Sequence, residues 1–144
     1  MAAQFINVDL DIESRSPLDY FCAQMANGTK VSLLHCGDNG GRGYFARLEC
    51  ADGGITCEPD SIINQFCEYI EDLDERARGE WDVAHFKSFD LGFENTAKDR
   101  CYQCPLRPGT VKRISDLGGA LAISIYNHDD NIEPSEYVIR GENT

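Results

Sequence analysis

Three stretches of the chain alternate apolar and polar residues, and this alternation constrains the fold more than any other feature of the sequence. They cover residues 5–12, 87–93 and 120–126. Because successive side chains of a β-strand point to opposite faces, the pattern predicts strands with one face in the core and the other in water. The predicted core residues are Ile6, Val8, Leu10, Ile12, Phe89, Leu91, Phe93, Leu121, Ile123 and Ile125.

Helical spacing of apolar residues predicts three helices between these strands. Ser16 and Pro17 suit the N-cap and first position of a short helix, and the longest helix is predicted from Pro59 to Arg78. A third helix bears Ile114, and a hairpin of two further strands precedes the long helix. We therefore predict an α+β fold: a two-layer sandwich whose mostly antiparallel or mixed sheet of about five strands carries helices on one face.

Length and charge restrict the function classes. At 144 residues the chain matches one ordinary domain, predicted over 1–128, with an acidic tail at 129–144 and a candidate edge strand at 136–140. The 25 Asp and Glu against 13 Lys and Arg give a formal net charge of -12, which repels nucleic acid and anionic membranes. A basic protein is the predicted partner.

Membrane and secretion signals are missing from the sequence. No apolar run approaches the roughly 18 residues that cross a bilayer, and residues 1–12 lack the basic region and apolar block of a secretory signal. Seven cysteines, an odd number, then favour reduced thiols over a disulfide framework. Together these observations predict a cytoplasmic location.

The most specific local motif is Cys101-Tyr-Gln-Cys104. C-x-x-C spacing serves zinc sites and dithiol redox pairs, but a structural zinc site needs two further ligands, and the chain offers no second pair with this spacing. Pro105 disfavours the helix that a thioredoxin-like pair would open. Three interpretations stay open: an incidental pair, a zinc site with Cys101 and Cys104 as ligands, and a redox pair. No other cofactor is predicted.

No catalytic motif is found in the sequence. Asp9 and Asp11 are two residues apart, which is the spacing of polar residues on one face of a strand. This spacing is therefore explained without a glycosidase-like pair. The glycine-rich segment 37–43 lacks the P-loop pattern and leads to a strand rather than a helix. We therefore predict no catalytic residues.

The predicted solvent-facing side of the sheet is acidic and carries an aromatic residue. Its carboxylates would speed association with a basic protein, and Tyr126 or Trp81 would act as an aromatic anchor. The alternative interpretation is a sheet face that is polar only for solubility. The predicted partner-binding residues are Asn7, Asp9, Asp11, Ser88, Asp90, Ser124, Tyr126 and Trp81.

Two segments resemble a group of small bacterial proteins without an established activity. Residues 81–93 contain a Phe-Asp-Leu-Gly strand, and residues 117–126 contain a Leu-Gly-Gly-Ala turn and a strand ending in Tyr; Gly119 is an extra glycine relative to the group. Such proteins are similar in size and acidity to immunity proteins, which neutralise a bacterial toxin by binding it. Together with the acidic charge of the chain, this likeness leads us to expect a non-enzymatic inhibitor of a basic toxin. The alternatives are a metal-binding or redox protein using Cys101 and Cys104, and a small-ligand domain with a pocket between sheet and helices.

Overall fold

Five strands and four helices make up the described part of the chain. The structure is a computed structural model that describes residues 4–28, 30–50, 58–95 and 103–127, without the side chain of Gln4. The tail at 129–144, with the edge strand predicted at 136–140, lies outside these residues. The elements are β1 Gln4–Ser14, α1 Asp19–Ala26, β2 Val31–Asp38, β3 Tyr44–Cys50, α2 Pro59–Glu71, α3 Glu75–Val83, β4 Phe86–Asn95, α4 Pro108–Asp116 and β5 Ala120–Asn127.

The strands form one mixed sheet in the order β2-β3-β1-β4-β5. β1 pairs antiparallel with β3 and β4, β2 pairs antiparallel with β3, and β5 runs parallel to β4. A parallel pair needs a crossover connection, and the segment containing α4 provides it. The predicted α+β fold with a mixed sheet of about five strands is confirmed. None of the described helices is long and apolar enough to cross a membrane.

The hydrophobic core lies on one face of the sheet. Ile6, predicted to be buried, is 40% exposed because the strand register shifts at an irregularity between Phe5 and Asn7. From Val8 onward the alternation of β1 matches the core as predicted. The buried sheet residues are Val8, Leu10, Ile12, Val31, Ala46, Leu48, Cys50, Phe89, Leu91 and Phe93, and the helices add Phe21, Ile62, Ile63, Phe66, Cys67, Ile70 and Trp81.

Trp81 of α3 connects three elements within the core and bonds to the residue that follows α4. Its ring stacks on Phe21 with centroids 5.6 Å apart and meets the ring of Phe89 edge-on at 6.5 Å. Its indole N–H donates a hydrogen bond of 3.0 Å to the carbonyl of Leu117, just after α4. A buried indole N–H needs such an acceptor, so this bond fixes the position of the ring.

The predicted long helix from Pro59 to Arg78 is wrong, because the structure has two helices there. Residues 72–74 separate α2 from α3. The Asp74 side chain accepts a hydrogen bond of 2.9 Å from the N–H of Ala77, and the backbone N–H of Asp74 donates to the side chain of Gln24 on α1 at 3.0 Å. Asp74 therefore caps a new helix instead of continuing the old one.

The start of α1 also differs from the prediction. The helix begins at Asp19, so Ser16 and Pro17 precede it and Ser16 is not its N-cap. Instead, the Glu80 carboxylate of α3 accepts a hydrogen bond of 2.7 Å from the N–H of Phe21 in the first turn. One free N–H group of this turn is thus satisfied by a neighbouring helix, which sequence alone does not reveal.

A polar network holds α4 against α2 and so positions β5. Asp60, which is nearly buried, accepts a hydrogen bond of 2.9 Å from the N–H of Arg107 at the start of α4. The Asn64 side-chain amide donates bonds of 2.8 Å both to the Asp60 carbonyl and to the hydroxyl of Thr110. Because these groups are largely buried, their hydrogen bonds specify how the crossover helix packs.

Three apolar residues of β5 are exposed, against the prediction that they are buried. They are in register with buried residues of β4 and lie on the same side of the sheet. β5 is the outermost strand of the described sheet, and the described helices leave these side chains uncovered. The exposed fractions are 46% for Leu121, 62% for Ile123 and 62% for Ile125.

Candidate functional site

The sheet face opposite the helices carries a group of polar side chains, which we call the acidic face. Asp9 of β1 lies between its cross-strand partners Glu49 of β3 and Asp90 of β4. Asp11, one step along the same face, lies between Arg47 and Ser88. β5 contributes Ser124 and Tyr126 at the edge of this face. The acidic face consists of Asn7, Asp9, Asp11, Arg47, Glu49, Ser88, Asp90, Ser124 and Tyr126.

A bidentate ion pair lies at the centre of the acidic face. The Arg47 guanidinium donates from Nε to Oδ1 of Asp11 at 2.8 Å and from Nη2 to Oδ2 at 3.2 Å. Asp11 has no exposed surface, and its hydrogen bond raises the pKa of Arg47. The guanidinium also lies 5.5 Å from the centre of the Phe45 ring. Two parallel bonds fix the orientation of Arg47 and direct its charge to Asp11.

Asp9 occupies an unfavourable position for a carboxylate on this face. Its pKa is raised from 3.8 to about 6, chiefly by burial and then by the charge of Asp11, with smaller effects of Glu49 and Asp90. The charge of Arg47 lowers the pKa but does not compensate. Oδ1 of Asp9 is buried, and no described residue donates a hydrogen bond to it. The folded protein therefore disfavours the charged form of Asp9.

The carboxylates of Glu49 and Asp90 accept hydrogen bonds that order neighbouring side chains. The Ser124 hydroxyl lies 2.8 and 2.9 Å from the two carboxylate oxygens of Asp90, to which it donates. The Asn7 amide donates to Oε2 of Glu49 at 2.8 Å. Burial and then the charge of Asp90 raise the pKa of the Tyr126 phenol, which stays protonated at neutral pH. These contacts hold a preformed, acidic surface with one aromatic ring.

The predicted partner-binding residues fall into three groups. Asn7, Asp9, Asp90, Ser124 and Tyr126 are partly exposed on the acidic face. Asp11 and Ser88 lie on the same face but are fully buried, so they support it from within and offer no surface to a partner. Trp81 was predicted as an alternative anchor, but it lies in the core on the other side of the sheet with no exposed surface. Tyr126 is thus the aromatic residue of the predicted set that a partner can contact.

The cysteine motif is only partly within the described chain. Cys104 is half-buried, and burial followed by the charge of Asp60 raises the pKa of its thiol. Cys101 lies outside the described residues. Where the structure describes the chain, no group of three or more His, Cys, Asp or Glu is placed to hold a metal ion. The zinc and redox interpretations stay predictions.

A cleft lies where α1 ends and β2 begins. Its volume is about 350 Å³, and Met25, Val31, Tyr69 and Leu73 form much of its wall. It lies at the ends of the helices α1 and α2, beside the start of an edge strand. It has no charged cluster that selects a ligand class, so the small-ligand interpretation stays a prediction.

Comparison with known protein families, curated protein sequences and solved structures found no match to this chain. Function is therefore inferred from the chemistry of the acidic face. The features that distinguish it are a bidentate ion pair whose aspartate is buried and a neighbouring carboxylate whose charge the fold disfavours.

Asp9→Asn is expected to stabilise the protein above pH 6 and to change its stability little near pH 3. Because folding raises the pKa of Asp9 to about 6, the folded state binds the proton more tightly, and stability falls as pH rises from about 4 to about 6. Asparagine removes this loss. Allowing for solvent screening, we expect a gain of about 1 to 2 kcal/mol at neutral pH. Urea unfolding across this pH range measures it, and a gain that does not depend on pH would contradict the assignment.

Proposed function

We propose that the acidic face binds a basic protein, with an Arg or Lys side chain of the partner beside Asp9, Glu49 and Asp90. The environment of Asp9 is the observation that carries this proposal. A carboxylate whose charge is disfavoured in the free protein gains from a cation brought to it, because an opposite charge favours the ionised form. Residues that cost stability in the free protein are typical of functional surfaces.

The scarcity of positively charged side chains on this face supports the same proposal. Among the described strand residues that point to this side, Arg47 is the one lysine or arginine, and it is engaged by Asp11. The chain as a whole carries a formal charge of -12. Such a field increases the rate at which a basic partner associates, and the ordered side chains then determine where it binds.

The specific form that we propose is an immunity-type inhibitor of a basic bacterial toxin. A nuclease is an example of such a toxin. An enzyme that acts on nucleic acid is electropositive around its substrate, so an inhibitor whose acidic surface covers this region also blocks the enzyme's access to its substrate. Tyr126 lies beside the carboxylates and would contribute an aromatic contact of the kind that dominates many interfaces. The assignment to a toxin rests on this charge complementarity and on the resemblance of residues 81–93 and 117–126.

Two charge-matched variants test the proposal. The face variant combines Asp9→Asn with Glu49→Gln, and glutamine keeps an acceptor for Asn7. The helix variant combines Glu68→Gln with Asp72→Asn, two exposed positions in and just after α2. Both replace two carboxylates with amides, so the number of acidic groups removed is matched and their place on the surface differs.

Tagged forms of the protein are used for affinity capture from the lysate of the organism that encodes it. We expect the wild type and the helix variant to retain a stoichiometric basic protein at low salt, and the face variant to bind it about tenfold more weakly or worse. Equal binding by the two variants, or no basic protein at either low or moderate salt, would contradict the proposal.

A further inference from the structure

Two cysteines from different elements meet between α1 and β2. Cys22 of α1 is 2% exposed, and Cys36 of β2 is half-buried and packs against the core. Both are free thiols, and their side chains are in hydrogen-bond contact. The pair lies on the core side of the sheet, so the acidic face does not use it.

An irregularity in β2 brings Cys36 to this position. In a regular strand Cys36, five residues after the buried Val31, would point to the opposite face of the sheet. The pairing of β2 with β3 shifts register between Leu33 and His35, and Cys36 is therefore the partner of Ala46, which has no exposed surface. Since cross-strand partners share a face, the irregularity turns Cys36 toward the core, where α1 lies.

We propose that Cys22 and Cys36 form a reversible disulfide when the protein meets an oxidising disulfide of the glutathione class. The partly exposed Cys36 is the thiol that such an oxidant reaches. Its thiolate attacks one sulfur of oxidised glutathione, whose S–S bond breaks and releases one glutathione thiolate. The Cys22 sulfur then attacks Sγ of Cys36 and releases the second glutathione. Two cysteine thiols are oxidised, one glutathione disulfide is reduced, and the two thiol protons pass to the two glutathione products.

The surroundings of the two thiols determine this order of steps. The pKa of Cys22 is raised, chiefly by burial and then by its hydrogen bond with Cys36, with smaller effects of Glu80 and Asp19. Cys22 therefore stays protonated and does not begin the exchange, because the thiolate is the nucleophile. Its contact with Cys36 makes it the resolving thiol instead. An accessible thiol beside a resolving thiol is the arrangement typical of redox-sensitive cysteines.

The disulfide would fasten α1 to β2. It closes a loop of about 15 residues, from 22 to 36, and so restricts the unfolded chain. We therefore expect the oxidised protein to have a Tm roughly 5 to 10 °C above that of the reduced protein.

The two cysteines fall on separate tryptic peptides, so mass spectrometry identifies the bond directly. Trypsin cleaves after Arg15, Lys30 and Arg42, which places Cys22 alone in 16–30 and Cys36 alone in 31–42. The folded, full-length protein is incubated with oxidised glutathione, blocked with N-ethylmaleimide and digested. We expect the linked pair of these peptides to exceed any other disulfide of Cys22 at least about tenfold, and to disappear on reduction.

Cys36→Ala and Cys104→Ala are matched variants, because both cysteines are half-buried and pack against the core. Cys104→Ala should keep the linked peptides and the rise in Tm, whereas Cys36→Ala should lose both and stay folded by circular dichroism. A Cys22 that stays unlinked in the folded wild type, or that links mainly to another cysteine, would overturn the proposal. So would an equal rise in Tm in the two variants. These outcomes are independent of the acidic face, because the face variant leaves both cysteines unchanged.

Discussion

Replacing Trp81 with alanine is expected to lower the free energy of unfolding by about 3 to 5 kcal/mol. The ring has no exposed surface and contacts Phe21 and Phe89, so its removal leaves a cavity where three elements meet. The carbonyl of Leu117 also loses its hydrogen bond. Chemical unfolding followed by far-ultraviolet circular dichroism measures the loss, because Trp81 is the single tryptophan and its fluorescence is removed with it.

Trp81→Phe separates packing from hydrogen bonding at this position. Phenylalanine keeps much of the aromatic contact but has no N–H to donate, so we expect an intermediate loss of about 1 to 3 kcal/mol. A Trp81→Ala variant within about 1 kcal/mol of the wild type would show that α3 and α4 are held together by other contacts.

Arg47→Met is expected to lower the free energy of unfolding by about 2 to 4 kcal/mol at neutral pH. Asp11 is fully buried and would lose both hydrogen bonds of its bidentate pair, whereas methionine keeps the apolar stem of arginine. The Arg47 charge also lowers the pKa of Asp9, so its removal should raise that pKa above about 6. Unfolding experiments and the titration of the Asp9 carboxyl carbon by NMR measure the two effects.

A double-mutant cycle with Asp11→Asn is the control for this ion pair. Replacing a buried charge whose partner is gone removes much of the penalty, so the double variant should be more stable than Arg47→Met alone. Losses that simply add would mean that Arg47 and Asp11 stabilise the fold independently of each other.

The sheet could be predicted from the sequence because alternation is a local property. Val8, Leu10 and Ile12 show which face of β1 is buried, and no knowledge of the rest of the chain is needed. The break between α2 and α3 could not be predicted in this way. Asp74 caps α3 while its N–H is bound by Gln24, which lies 50 residues away in sequence, so the break depends on tertiary packing.

The candidate site shows the same limit. Alternation placed Asp9 and Asp11 on the polar face, but it could not show that Asp11 is buried and Asp9 partly exposed. That difference arises because the pairing of β1 with β3 brings Arg47 to Asp11. Alternation also gave β5 an apolar face without showing what covers it, which is why Ile123 was predicted to be buried and is exposed.

The central claim is that the acidic face itself, rather than the net charge of the chain, recognises a cation. The most direct measurement is the NMR titration of the Asp9 carboxyl carbon against pH, with and without a tri-arginine peptide. The account predicts an apparent pKa of about 6 in the free protein and a clear decrease with the peptide, because a bound guanidinium favours the carboxylate. An unchanged Asp9 titration, with peptide-induced shifts at Glu68 and Asp72 instead, would contradict it.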